Sequence, residues 1–387
     1  EEALGISLLY EIVLGRQPDP SGMRSYLSKA IAGRSLKVIA GDLLGSEEYR
    51  SRGLGADWWR TACRQVGARE VAPAWYCSRA AYCCKLALQP EVRFRALQGI
   101  GFNAVLRRRY KELQDDAASR FRHATRSAEA SRDAPLISIL LPVYRAPVAY
   151  LESALTSVVD QTFPNWELCV VDDGSCSPEI EATLRPYQRA DRRVKLLLSP
   201  ENVGISRATN LALDMATGEY LCLLDHDDKL TLDAIEHVTA ALAGGAPDAL
   251  YSDECKLDEH DNVHDIFCKP DWDPTLLQNF MYTGHLSVYR TQLVRDLGGF
   301  RPEFDFSQDY DLVLRVAERT DRVAHIPRGL YGWRMIAGSA AAGGKSYARA
   351  SNIAALQSSL DRRGMDGKAV AQPTVNQVVR ASGAAPA

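Results

Sequence analysis

The chain has 387 residues, 46% hydrophobic and 25% charged, which is the balance of a soluble globular protein of two or three domains. Its net charge of -3 supplies no global field for nucleic acid or an anionic membrane. No uninterrupted apolar run approaches the roughly 20 residues that span a bilayer. The nine cysteines are odd in number and form no CxxC pair, which predicts a reduced, cytosolic compartment and argues against a zinc site.

Residues 1–134 carry almost no strand signal. Leu4, Leu8 and Ile12, then Leu27 and Ile31, recur with helical spacing on either side of the turn QPDPSG. Further helices are predicted over 35–44 and 74–88. The stretch 90–132 is helix-like and basic, with Arg107, Arg108, Arg109, Lys111, Arg120, Arg122 and Arg126. That basic run reads either as a solvated helix face or as a surface for docking a membrane or an acidic protein complex. The opening EEALGISLLY lacks Met and a signal-peptide pattern, so a piece of a longer protein is expected.

The texture changes at Pro135. ISILLPVY reads as a buried strand, followed by a helix over 150–161, the strand ELCVVDD and a helix over 178–189. Then come the strand RVKLLLS, the helix GISRATNLALDMA, the strand YLCLLD, a helix over 232–242 and the strand DALYSD. Alternating strands and helices predict a doubly wound, mostly parallel α/β sheet, whose ligands bind beyond the carboxyl ends of the strands. Two strands end in acids there, VVDDGS and LLDHDD.

If the extended backbone continues past YLCLLD, Asp225 and Asp227 share one face and His226 takes the other. Two carboxylates held together share a proton or a cation, and hard oxygen ligands suit Mg²⁺ or Mn²⁺. Asp228 reads as a cap for a helix starting near Thr231. A dehydrogenase would need GxGxxG after the first strand, where PVYRAP stands instead. An aspartyl phosphatase would need Asp-x-Asp-x-Thr on the first strand. GSAAAGGKS has the wrong spacing for a phosphate-binding loop.

In order along the chain, ISILLPVY, VVDDGS, NVGISRATNLAL, GEYLCLLDHDD, LYSDE, KPDWDP, GGFR, FSQDYDLVLRV and LYGWR resemble the motifs of family 2 glycosyltransferases with a GT-A fold. The resemblance implies a Rossmann-like catalytic domain over 135–370, preceded by an all-α region and followed by a tail from 371. It implies inverting transfer of a sugar from a nucleotide diphosphate, UDP by preference, to a glycan or lipid-linked hydroxyl in bacterial surface polysaccharide synthesis. It implies no nucleic-acid partner, and a place in the cytoplasm, peripheral to the inner face of the membrane.

Carried over residue by residue, Pro142, Val143 and Tyr144 lie where base and ribose sit. Asp172 and Asp173 would take the base N–H or simply form the DDGS turn. Asn202, Gly204 and Arg207 lie where the family contacts base or diphosphate, with Arg207 equally readable as a surface residue. Asp225 and Asp227 match the DxD cation clamp, holding Mn²⁺ or Mg²⁺ against the diphosphate. Asp309 matches the catalytic base, in the first turn of a helix capped by Ser307. Gln308 stands where many relatives carry Glu. Asp253, Glu254, Trp272, Trp333 and Arg334 are candidates for sugar or acceptor contacts, with core packing the competing reading for Trp272.

One departure from the family pattern is Gly332, where relatives often carry a histidine that binds metal or diphosphate. It leaves the third ligand unassigned and raises the alternative of a degenerate transferase serving as a scaffold. A sugar-phosphate nucleotidyltransferase is a more distant alternative. Residues 1–51 resemble a small helical domain of unknown function found in bacterial surface and polysaccharide proteins, the DUF4214 type. The module is placed over 1–55, with a helical accessory region over 56–134.

Overall fold

The computed structural model describes residues 103–124, 134–335, 346–371 and 376–379. The helices expected before residue 103, the module over 1–55, most of the accessory region and the GSAAAGGK stretch lie outside the described residues. The chain divides into two compact units, Glu1–Leu113 and Gln114–Ala387. Helix α1 (Asn103–Arg120) runs across that boundary, and everything below concerns the second unit.

The strands and helices follow the expected order, starting with β1 (Ile137–Val143), α2 (Val148–Val159), β2 (Trp166–Asp172), α3 (Pro178–Ala190) and β3 (Val194–Leu198). Then come α4 (Ile205–Met215), β4 (Tyr220–Leu223), the short β5 (Lys229–Leu230), α5 (Ala234–Ala243) and β6 (Ala249–Leu257). The second half adds β7 (Val263–Phe267), α6 (Pro274–Leu277), β8 (Ser287–Arg290), α7 (Thr291–Asp296), α8 (Gln308–Ala317) and β9 (Val323–Arg334). Helix α9 (Ser346–Arg362) and the hairpin β10 (Lys368–Ala371) with β11 (Asn376–Val379) close the unit.

The main sheet runs β3-β2-β1-β4-β8-β6-β9-β5, with β7 alongside β6. β1, β2, β3 and β4 are parallel, and β6 and β9 continue that direction. Only β5, β7 and β8 run against it, so the expected α/β fold with a mostly parallel sheet is what forms.

Alternation along the strands assigns the two faces. Ile137, Ile139, Leu141 and Val143 pack with Leu151, Leu155 and Val158 of α2 and with Ile235 and Val238 of α5. Leu140, Val171 and Leu221 face the other way, onto Ala208 and Ala212 of α4 and Leu312 and Val316 of α8. Each such fully buried Leu, Ile or Val contributes about 1.5–3 kcal/mol of burial free energy. With helices on both faces, only the ends of the strands are left to carry a site.

Candidate active site

β1, β2 and β4 are parallel, so their carboxyl ends share one edge. β8 runs antiparallel to β4, which brings its amino end to the same edge. Cys222 pairs with Val288, and continuing that register sets His285 opposite Asp225. The His285 Nε2 lies 3.8 Å from Asp225 Oδ2. Its ring stacks on Tyr331 at 4.5 Å between centroids and meets Trp333 edge-on at 5.8 Å.

Tyr331 and Trp333 thus share one face of β9, and Gly332 between them takes the other. A Cβ at Gly332 would collide with Leu257 Cδ1 and lie 2.9 Å from Phe121 Cζ. The expectation that Gly332 vacates a ligand position is therefore corrected. That position faces packed hydrocarbon, and the histidine at the acids arrives from before β8.

The acids themselves are arranged by a turn. β4 ends at Leu223, and the Asp228 N–H donates to the Asp225 carbonyl at 3.2 Å. The extended alternation expected through Asp227 does not continue. Asp228 is 1% exposed; it accepts from the Tyr331 hydroxyl at 2.7 Å and from the Arg334 backbone N–H at 2.7 Å. Tyr331 Oη also accepts the Asp225 N–H at 3.1 Å. Asp228 is no helix cap; α5 begins after Asp233.

Ligand atoms of Asp225, Asp228 and His285 all lie within 4.8 Å of one another. The expected partner of Asp225 was Asp227, which stands in the same turn with its carbonyl taking Arg334 Nε at 2.7 Å. Burial, then the nearby Asp225 and Asp227, push the Asp228 carboxyl well above the usual carboxylate range. Two carboxylates and one imidazole at this spacing fit a divalent cation, the imidazole favouring Mn²⁺ over the harder Mg²⁺.

Asp309 enters from α8, where Ser307 takes the N-cap position as expected but makes no side-chain capping hydrogen bond. Its carboxylate accepts the Tyr310 N–H at 2.8 Å. Burial raises its pKa, while the neighbouring His285 pulls it down and Asp225 pushes it up, so all three groups share one electrostatic environment. Asp311 points into the protein, fully buried between Arg301 and Arg315, with Arg315 Nη2 at 2.7 Å. Arg315, in the last turn of α8, also donates to the carbonyls of Leu297 and Gly299, both at 2.8 Å, which ties the helix to that loop.

On the β2 side, Asp172 Oδ1 accepts the Ser175 N–H at 3.3 Å. Asp173 receives Asn202 Nδ2 at 2.8 Å, the Val203 N–H at 2.7 Å and the Gly204 N–H at 3.0 Å. Asp173 therefore shapes the loop before α4. Gly204 has φ +92, a backbone that disfavours side chains.

Residues 138–298 match the family model of glycosyl transferase family 2. The chain carries a glycosyltransferase family 2 domain. It is 41% identical over 237 residues to an uncharacterised protein of Sinorhizobium fredii, covering 60% of this chain and 26% of that one. It is 34% identical over 249 residues to the O-antigen biosynthesis protein RfbC of Myxococcus xanthus, covering 64% and 20%. The chain thus spans about a quarter or less of these two relatives. Among solved structures, it is 18% identical to Staphylococcus aureus TarS 1–349 in complex with UDP-GlcNAc, with a TM-score of 0.49 over 58% of this chain and 66% of that one.

The remaining expected residues of the transferase domain fall into two sets. Pro142 and Val143 close β1, and Tyr144 beyond them is exposed beneath the Arg145 guanidinium, 5.1 Å from its ring. Asn202 and Arg207 are exposed at the start of α4. Asp253 and Glu254 turn inward: Asp253 Oδ1 accepts from the Lys269 N–H at 2.7 Å and His325 Nε2 at 2.9 Å, and Glu254 pairs with Lys269 Nζ at 3.0 Å. Trp272 packs near Tyr282, at 6.5 Å, with its indole N–H buried and unpaired. Gln308 Oε1 is likewise buried without a partner. Arg334 is buried over the Tyr150 ring at 4.5 Å.

His285, Tyr331, Asp228 and Lys269 were not among the expected site residues. No sequence signal marked His285: the strand after it, β8, was not among those expected, and its return to the acidic edge is visible only in the fold.

Proposed function

We propose that this domain is an inverting, cation-dependent glycosyltransferase using a nucleoside diphosphate sugar, UDP by preference. The observation that carries the reading is the meeting of Asp309, Asp225, Asp228 and His285 at the carboxyl edge of the sheet. Asp225, Asp228 and His285 would hold Mn²⁺ or Mg²⁺, with Asp227 in the same turn. The cation would neutralise charge on the leaving diphosphate.

Asp309 takes the proton of the acceptor hydroxyl. The hydroxyl oxygen bonds to the anomeric carbon from the side opposite the diphosphate. The bond from that carbon to the phosphate oxygen breaks, and its electron pair leaves with the nucleoside diphosphate. Attack opposite the leaving group inverts the carbon. A half-buried carboxyl with a raised pKa is a stronger base than a solvated one, which suits this step. Asp173 holds the Asn202–Gly204 loop in the shape that receives base or diphosphate, while Tyr144 and Arg207 are exposed towards that side and Pro142, Val143 and Asp172 end the strands beneath it. Trp333, edge-on to His285, and Gln308, next to Asp309, would border the sugar and acceptor side.

The O-antigen name of the Myxococcus relative, and that of the Bacillus subtilis teichuronic acid glycosyltransferase TuaG, 40% identical over 103 residues, support a bacterial surface polysaccharide as the product. With Gly332 turned away from the acids, its lack of a side chain gives no support to a scaffold reading. The test is product analysis with Mn²⁺ on a panel of nucleotide sugars and, separately, on nucleoside triphosphates mixed with sugar 1-phosphates. Release of free nucleoside diphosphate from the nucleotide sugars, lost in EDTA, supports the proposal; release of pyrophosphate from the triphosphate mixtures, with none of the first reaction, would point to nucleotidyl transfer instead.

A further inference from the structure

We propose that the buried pair Lys269–Glu254 is the positioning device that holds His285 at the cation site. The inference rests on the cation reading above. Lys269 has no exposed surface, and the loop Thr283–His285 wraps around its ammonium group. Nζ donates to the Thr283 carbonyl at 2.6 Å and to the His285 carbonyl, and pairs with Glu254 Oε2 at 3.0 Å. These three partners use all three ammonium protons. Glu254 Oε2 in turn accepts the His285 N–H at 3.3 Å. One buried ion pair thus grips both the N–H and the C=O of His285.

Gly284 makes this wrap sterically feasible. Its φ is +36, and a Cβ there would lie 2.9 Å from Glu254 Oε2 and 3.7 Å from Lys269 Nζ. Neither Lys269 nor Glu254 has a route to substrate, since both are buried. Burying two charges is costly unless geometry and hydrogen bonds offset it. Here the offset is delivered to the backbone that presents His285, whose ring then needs only Tyr331 and Trp333 to fix its plane. Groups that orient a metal ligand commonly change metal affinity about 10–100-fold when altered.

The experiment titrates Mn²⁺ into the full chain by its effect on water proton relaxation. The variants are Lys269→Met/Glu254→Gln, which removes both charges together, and Gly284→Ala, which keeps the pair and pushes the loop off it. Each is first checked for a cooperative thermal melt. The expected result is a loss of Mn²⁺ affinity of about tenfold or more in the folded variants. Adding His285→Ala to Gly284→Ala should weaken binding no further than His285→Ala alone, because both act through one ring.

If the double-charge variant does not fold, Gly284→Ala carries the same test. Wild-type affinity in a folded variant, or losses that add, would overturn the positioning role. His285→Ala separates the two ideas. If it binds Mn²⁺ like the wild type, the cation reading fails. If it binds weakly while Gly284→Ala binds normally, only the Lys269 inference fails.

Discussion

His285 and Asp225 face each other across the register between β4 and β8, with Nε2 3.8 Å from Oδ2. An imidazole stacked on a buried tyrosine is held in plane and aims one nitrogen at the acids. Replacing His285 by Ala should lower Mn²⁺ affinity by about tenfold or more, since a direct ligand matters at least as much as the groups behind it. Unchanged binding would place the cation elsewhere.

Tyr331 ties the two acids of the turn together, accepting from the Asp225 N–H and donating to Asp228 Oδ2. Tyr331→Phe keeps the ring beneath His285 and removes only the hydroxyl. The variant should fold, but with about 1–3 kcal/mol less stability in urea unfolding, because two buried groups lose a partner. It should also bind Mn²⁺ more weakly. A change in stability without any change in Mn²⁺ binding would mean that the turn geometry does not set the site.

Asp228 gives the site a pH dependence. Its folded-state pKa is raised, so in the cation-free protein this group favours folding below the ordinary carboxylate pKa of about 4, and that contribution is lost as pH rises through the raised value. A cation needs the ionised carboxylate, so binding expels the proton and strengthens as pH rises over the same window. In EDTA, Asp228→Asn should melt increasingly above the wild type as pH rises. Mn²⁺ affinity of the wild type should increase with pH, and that of Asp228→Asn should stay weak and flat. A wild-type affinity independent of pH would contradict this.

Asp173 gathers three donors from the loop ahead of α4. Asp173→Ala should loosen that loop and weaken UDP binding by about tenfold, the equivalent of about 1.4 kcal/mol. Mn²⁺ binding without nucleotide should be unaffected. Calorimetry with UDP and with Mn²⁺ alone checks both, and wild-type UDP affinity would remove this loop from the donor side.

Much of this was legible in the sequence. The buried runs marked β1, β2 and β4, and their acidic ends marked the edge. Ser307 marked the start of α8 and so the place of Asp309. Asp228 was misread because alternation was extended past Leu223, where the chain has already turned; a run of acids with no β-branched residue carries little strand signal. Gly332 was misread as a gap in the site, although period-two alternation between Tyr331 and Trp333 places it on the opposite face. His285 and Lys269 were missed for a different reason. They lie in irregular chain, with no periodicity, and only the antiparallel return of β8 and the burial of the Lys269–Glu254 pair give them meaning.

The most direct test of the account is Asp309→Asn. The amide keeps an oxygen to accept the Tyr310 N–H but cannot take a proton from the acceptor. UDP release from the best nucleotide-sugar donor should fall about 10²–10⁴-fold, with Mn²⁺ and UDP affinities unchanged. Release at the wild-type rate would contradict the assignment of Asp309 as the base and with it the proposed mechanism.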